Sequence, residues 1–151
     1  MSHAIKFRVL TATLSLMLAG ATLAEPLRVS KPVSLRQAVD DLTLAAANQD
    51  MVLVKMQPID SALVKRGFDD PHVRLLFIGS ETAVRWAEAA EPRLLNLLPL
   101  RLTLIQHDDV VLVLSDDFAA WRREFPEDPA NLLLKAWESE IKALFDDFIS
   151  Q

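Results

Sequence analysis

Residues 100–114 read Leu-Arg-Leu-Thr-Leu-Ile-Gln-His-Asp-Asp-Val-Val-Leu-Val-Leu, and the fold class follows from them. Leu100, Leu102 and Leu104 alternate with Arg101 and Thr103, the period of two that puts one face of a strand against a core. His107-Asp108-Asp109 is polar and turn-forming, and Val110 to Leu114 is apolar at every position. The segment predicts an antiparallel hairpin whose second strand is buried on both faces or nearly so.

Upstream, Val73 to Ile78 reads as a further buried strand, Met51 to Met56 as another that ends before Pro58, and Leu27 to Ser30 as a short alternating strand closed by Lys31-Pro32. Helical spacing intervenes between them. Ser34 with Gln37 forms a capping box, and Leu35, Ala38, Val39, Leu42, Ala45 and Ala46 recur along one face, predicting a helix over 35–48. Asp60 is placed to cap a short helix that Gly67 stops. Ser80 begins a helix with the apolar stripe Ala83, Trp86, Ala87 and Ala90, ended by Pro92. Leu94 to Leu98 is too short for an ordinary helix and is expected to pack across an end of the sheet. In the last segment, Asp128 reads as a cap and Pro129 as a first helical position, ahead of the stripe Leu133, Trp137, Ile141, Leu144, Phe145 and Phe148. Residues 116–125 show no clear period and read as a connector. Strands and helices in this order predict an α+β domain, an antiparallel sheet with helices on one face.

The amino terminus has a different character. Lys6 and Arg8 precede the run Val9 to Ala24, apolar or small throughout, and Thr22-Leu23-Ala24 sets small residues at a cleavage position. This is the pattern of a secretory signal peptide. The run has 16 residues, fewer than the roughly 20 needed to cross a membrane. The chain contains no Cys for lipid attachment. We therefore expect residues 1–24 to be removed, residues 25–151 to form one domain, and the product to be exported, to the periplasm or beyond, with no stable membrane span. Removing Lys6 and Arg8 leaves 14 basic against 21 acidic side chains, a formal charge of −7 against −5 for the whole chain. That excess of acid argues against nucleic-acid binding.

Absence of Cys excludes disulfides, thiolate metal sites and a Cys nucleophile. Gly67 and Gly79 are the two glycines beyond the leader, so no Gly-rich phosphate loop can be built. No catalytic motif is complete, and no catalytic residue is assigned. Ser80 follows Gly79 at a strand-to-helix turn but lacks the second Gly of a nucleophile elbow, and reads as an N-cap.

Four residues stand as weak ligand-binding candidates. His72 and His107 are the histidines beyond the leader, each beside paired Asp residues; sequence neighbours in a turn rarely converge on one metal ion, so no metal is expected. A single axial His can hold b-type haem, which makes a small periplasmic enzyme or haem carrier the alternative reading. Arg101, on the polar side of its strand, can meet an anion or a neighbouring Asp. Trp121, inside the unpatterned connector, can serve as an exposed contact.

Taken in series, Ser34-Leu35-Arg36-Gln37-Ala38-Val39-Asp40-Asp41-Leu42, Gly67, Leu98-Pro99-Leu100-Arg101-Leu102 and the valine-rich strand resemble the domain of unknown function 302 family over about residues 27–149. The resemblance implies a TATA-binding-protein-like β-α-β(4)-α fold with helices on one side of an antiparallel sheet. It departs in two places: Leu100 stands where the family often has Cys, and Gly79-Ser80 where it often has Asn-Pro. No role of that thiol carries over, and the family supplies no established activity. From residues and resemblance together, the expected function is a non-catalytic exported binding or interaction module without a cofactor. Its uncovered sheet face would meet a ligand, a second copy, or another exported protein.

Overall fold

Period-two patterning in five segments gives five strands, and the computed structural model describes them within residues 25–57 and 71–151. The expected leader, residues 1–24, and the expected helix over residues 60–67 lie outside the described residues. The strands are β1 (Arg28–Lys31), β2 (Val52–Gln57), β3 (Val73–Gly79), β4 (Leu100–His107) and β5 (Val110–Leu114). They form one antiparallel sheet in the order β1-β5-β4-β3-β2. Helices α1 (Leu35–Asn48), α2 (Glu81–Ala90), α3 (Phe118–Glu124) and α4 (Ala130–Ser150), with a 3₁₀ turn at Pro92–Leu97, complete the described chain.

Cross-strand register fixes which residues share a face. Leu53, Ile78 and Leu100 lie in one row, Leu76 and Leu102 in the next, and Leu104 and Val113 beside Val29. These inward residues, Val29 and Leu53 partly buried at the margins, join Leu42, Leu134, Trp137, Ile141, Leu144 and Phe148 of the helices in one apolar core. The helices therefore cover one face of the sheet, as the sequence and the resemblance imply. At roughly 25 cal/mol per Å² of apolar surface removed from water, this layer supplies the main driving force for folding.

Ends of elements follow from local chemistry. Ser34 Oγ accepts the Gln37 N–H at 3.1 Å, but the Gln37 amide donates onward to Asp41 Oδ1 at 2.5 Å, so only half of the capping box forms. Helix α1 closes with Asp50 in the left-handed region at φ 55°, the Asp50 N–H bonded to Ala47 O and the Met51 N–H to Ala46 O. That pairing is a Schellman closure with Asp in the position glycine favours. Asp108, also left-handed at φ 52°, turns β4 into β5.

Four expectations are corrected. Strand β5 buries Val111 and Val113, but Leu112 and Leu114 are half-exposed and Val110 is exposed, because no described helix lies on that side. Trp86 does not point into the core. Ala83 and Ala87 bury the inner side of α2, and the small methyl groups hold the helix too close for an indole to fit beneath it. The segment read as a connector contains α3, capped by Asp117 Oδ1 accepting the Ala120 N–H at 2.9 Å. Asp128 does not cap α4. Pro129 occupies the N-cap position with no side-chain bond, and the helix starts one residue later.

One polar cluster lies within the helical layer. Lys31 of β1 donates from Nζ to Asp41 of α1 at 2.7 Å and to the Phe148 carbonyl of α4 at 2.9 Å, with the Phe148 ring centroid 4.9 Å away. Burial alone would raise the Asp41 pKa, but the Lys31 and Gln37 hydrogen bonds outweigh it and hold the carboxyl below the ordinary carboxylate value.

Candidate functional site

The register that sends one set of side chains under the helices sends the alternate set to the opposite face. Leu75 lies beside Thr103, Thr103 beside Leu114, and Leu114 beside Arg28; Ile105 lies beside Leu112, and Phe77 beside Arg101. Leu75, Phe77, Ile105, Leu112 and Leu114 are all half-exposed, and none belongs to the core or packs against it. They form a continuous apolar strip across β3, β4 and β5. Contiguous apolar surface of this kind marks interaction sites more often than scattered single residues do.

Charges on this face stand at its margins and are largely neutralised from within the chain. Arg101 donates to Asp116 Oδ1 at 2.7 Å, its backbone N–H reaching Asp116 Oδ2 at 3.2 Å. Arg28 pairs loosely with Glu25 at 3.7 Å. Lys55, opposite Phe77, is a further base at the edge of this face. Thus Arg101 is held by a neighbouring Asp, one of the two roles its strand position allows.

The structure does not bring the sequence candidates into one site. His72 precedes β3 and its carbonyl accepts the Gln106 N–H at 2.8 Å, which sets it near His107 at one end of the sheet. Strand alternation sends the two side chains to opposite faces. The His107 side chain is 88% exposed, with Asp108 Oδ2 at 3.1 Å from its Nδ1. No group of three or more His, Asp or Glu able to hold a metal ion occurs among the described residues.

Trp121 is half-buried on α3, packed against the core and edge-on to Phe118 with ring centroids 5.1 Å apart at 74°. Ser80 Oγ accepts the Ala83 N–H at 3.1 Å, the bond of an N-cap. The sequence reading missed a set on the helical side, Asp50, Trp86, Trp137 and Glu140, which line one small cavity. Trp137 and Glu140 are three apart on one helix, but nothing in the sequence places the other two beside them.

Comparison with known proteins bears on fold. A family model described as domain of unknown function DUF302 matches residues 27–147. The chain is also similar in structure to an uncharacterized conserved protein DUF302 from Bacillus stearothermophilus, with a TM-score of 0.70 at 11% identity, covering 80% of this chain and 95% of that one. At that identity the likeness speaks for the architecture alone. No curated protein matches the chain.

Proposed function

Since the chain belongs to the DUF302 family, whose function is unknown, its role has to be read from its own surfaces, and we propose that it is an exported, non-catalytic interaction module whose free sheet face receives a second copy of itself. The observation that carries this reading is the strip Leu75, Phe77, Ile105, Leu112 and Leu114, half-exposed on the side opposite the described helices. Its charge pattern argues for the occupant. A partner of different sequence commonly answers a charged rim with opposite charge. Here Asp116 and Glu25 already answer Arg101 and Arg28, so the face suits a self-complementary, two-fold contact. Two such sheets would stack about 10 Å apart, as in a sandwich.

Static light scattering on the purified protein tests it. We expect a dimer that Leu112→Asp converts to monomer while the helical signal in circular dichroism persists. A strict monomer, or a dimer indifferent to Leu112→Asp and Phe77→Asp, refutes the self-association. Recovery of a different polypeptide at fixed stoichiometry by native mass spectrometry would likewise overturn the second copy as occupant.

A further inference from the structure

A separate cavity of about 190 Å³ lies in the helical layer, away from the free sheet face. Its walls come from three places: Gln49 and Asp50 at the end of α1, Thr82, Ala83 and Trp86 along α2, and Trp137 with Glu140 one turn apart on α4. No Lys or Arg of the described residues lines it. Among the described residues Asp50 and Glu140 form no ion pair, whereas many other acids of the domain do. Nothing offsets the burial of Glu140, which pushes its carboxyl above the ordinary value.

Trp137 supplies the second, independent observation. The residue is 99% buried, being 1% exposed, yet its indole N–H has no hydrogen-bond partner among the described residues. No buried polar side-chain atom of the described residues is left unsatisfied, so that N–H keeps some contact with solvent, and Trp137 lines this cavity. A donor in a nearly buried side chain without a protein partner is poised for an acceptor.

We propose that this cavity binds a small organic cation, an amine that also carries an oxygen acceptor. Glu140 and Asp50 meet the positive charge, the Trp86 ring covers it, and the Trp137 indole N–H takes the oxygen. Aromatic rings beside carboxylates are the chemistry that recognises ammonium groups. The indole donor adds selectivity for a ligand with a hydroxyl or carbonyl near the charge, because the site's own buried donor would stay unpaired with any other.

Titration of the full-length protein with choline, followed by the indole N–H resonances in ¹H–¹⁵N spectra, reads each contact separately. Trp137→Phe assigns its resonance. We expect choline to shift the Trp137 signal, and 3,3-dimethylbutan-1-ol, its uncharged analogue of the same shape, to bind at least about tenfold more weakly, the scale of one desolvated cation–aromatic or charge contact. Ethanolamine tests the same chemistry with a primary ammonium. Glu140→Gln, which removes charge and breaks no bond, should weaken choline about tenfold while leaving the melting temperature unchanged or raised. Trp86→Leu, at an exposed ring, should weaken it without unfolding the protein. No Trp137 shift with either amine, equal binding of the neutral analogue, or unchanged affinity in Glu140→Gln would overturn the proposal. These outcomes are independent of the dimer test, since Leu112 and Phe77 lie on the other side of the sheet.

Discussion

Replacing Asp41 by Asn tests how much of the domain rests on one internal ion pair. The Lys31 and Asp41 side chains are 12% and 11% exposed at 2.7 Å, and Gln37 also bonds the carboxylate. Deleting one member of a buried pair costs about 3–5 kcal/mol, chiefly because the other charge is stranded. In this case Lys31 keeps the Phe148 carbonyl and ring, and the amide oxygen of the substituted side chain can still accept a bond, so about 2–3 kcal/mol is expected. For a domain of this size that lowers the melting temperature by about 10 °C.

The Asp41 pair has a pH signature as well. Asp41 has a depressed folded-state pKa against a model value of 3.8, so its contribution is complete above about pH 4 and fades as pH falls through the lower, folded value. Melts of wild type and Asp41→Asn, run from about pH 7 into the acid range, should therefore draw closer as pH falls. A difference under about 2 °C at neutral pH, or a gap that stays constant into the acid range, would refute the reasoning.

Two further outcomes concern the helices. Ser80→Ala removes the acceptor for the Ala83 N–H and should cost about 1 kcal/mol in urea unfolding; a loss of several kcal/mol would mean that Ser80 carries more than the cap. Ala46→Leu, at a fully buried position of α1, should cost about 1–3 kcal/mol by overpacking, measured the same way, and an unchanged stability would show that the layer has slack there.

Legibility in the sequence followed the range of each interaction. The β4–β5 hairpin and α1 declare themselves because alternation, turn residues and the Ser34 cap all lie within a few positions of one another. Helix α3 escaped because its seven residues give two turns, too few for a period to emerge, although Asp117 and the spacing of Phe118, Trp121 and Phe125 were there to be read. An unbroken apolar run such as Val110 to Leu114 cannot say whether one face or two will be covered. Trp86 misled through size: a large ring suggests core, whereas Ala83 and Ala87 make the approach that excludes it.

Features that join distant elements left no local trace. The Lys31–Asp41–Phe148 cluster links residues separated by 10 and 117 positions. The cavity of Asp50, Trp86, Trp137 and Glu140 draws on three segments. The first exists only once helices α1 and α4 lie together on the sheet, the second only once α2 joins them.

Strand β1 opens the described fold, yet its ladder partner β5 ends at Leu114 and the carbonyl that receives Lys31 belongs to Phe148. A ribosome delivering the chain from its amino end therefore releases an edge strand long before the strand that pairs with it. Leu27 and Val29 must wait unpaired throughout that interval. Completion of the sheet is thereby tied to arrival of β5, and a chain interrupted before it leaves the β4 edge open and β1 without the strand it pairs with.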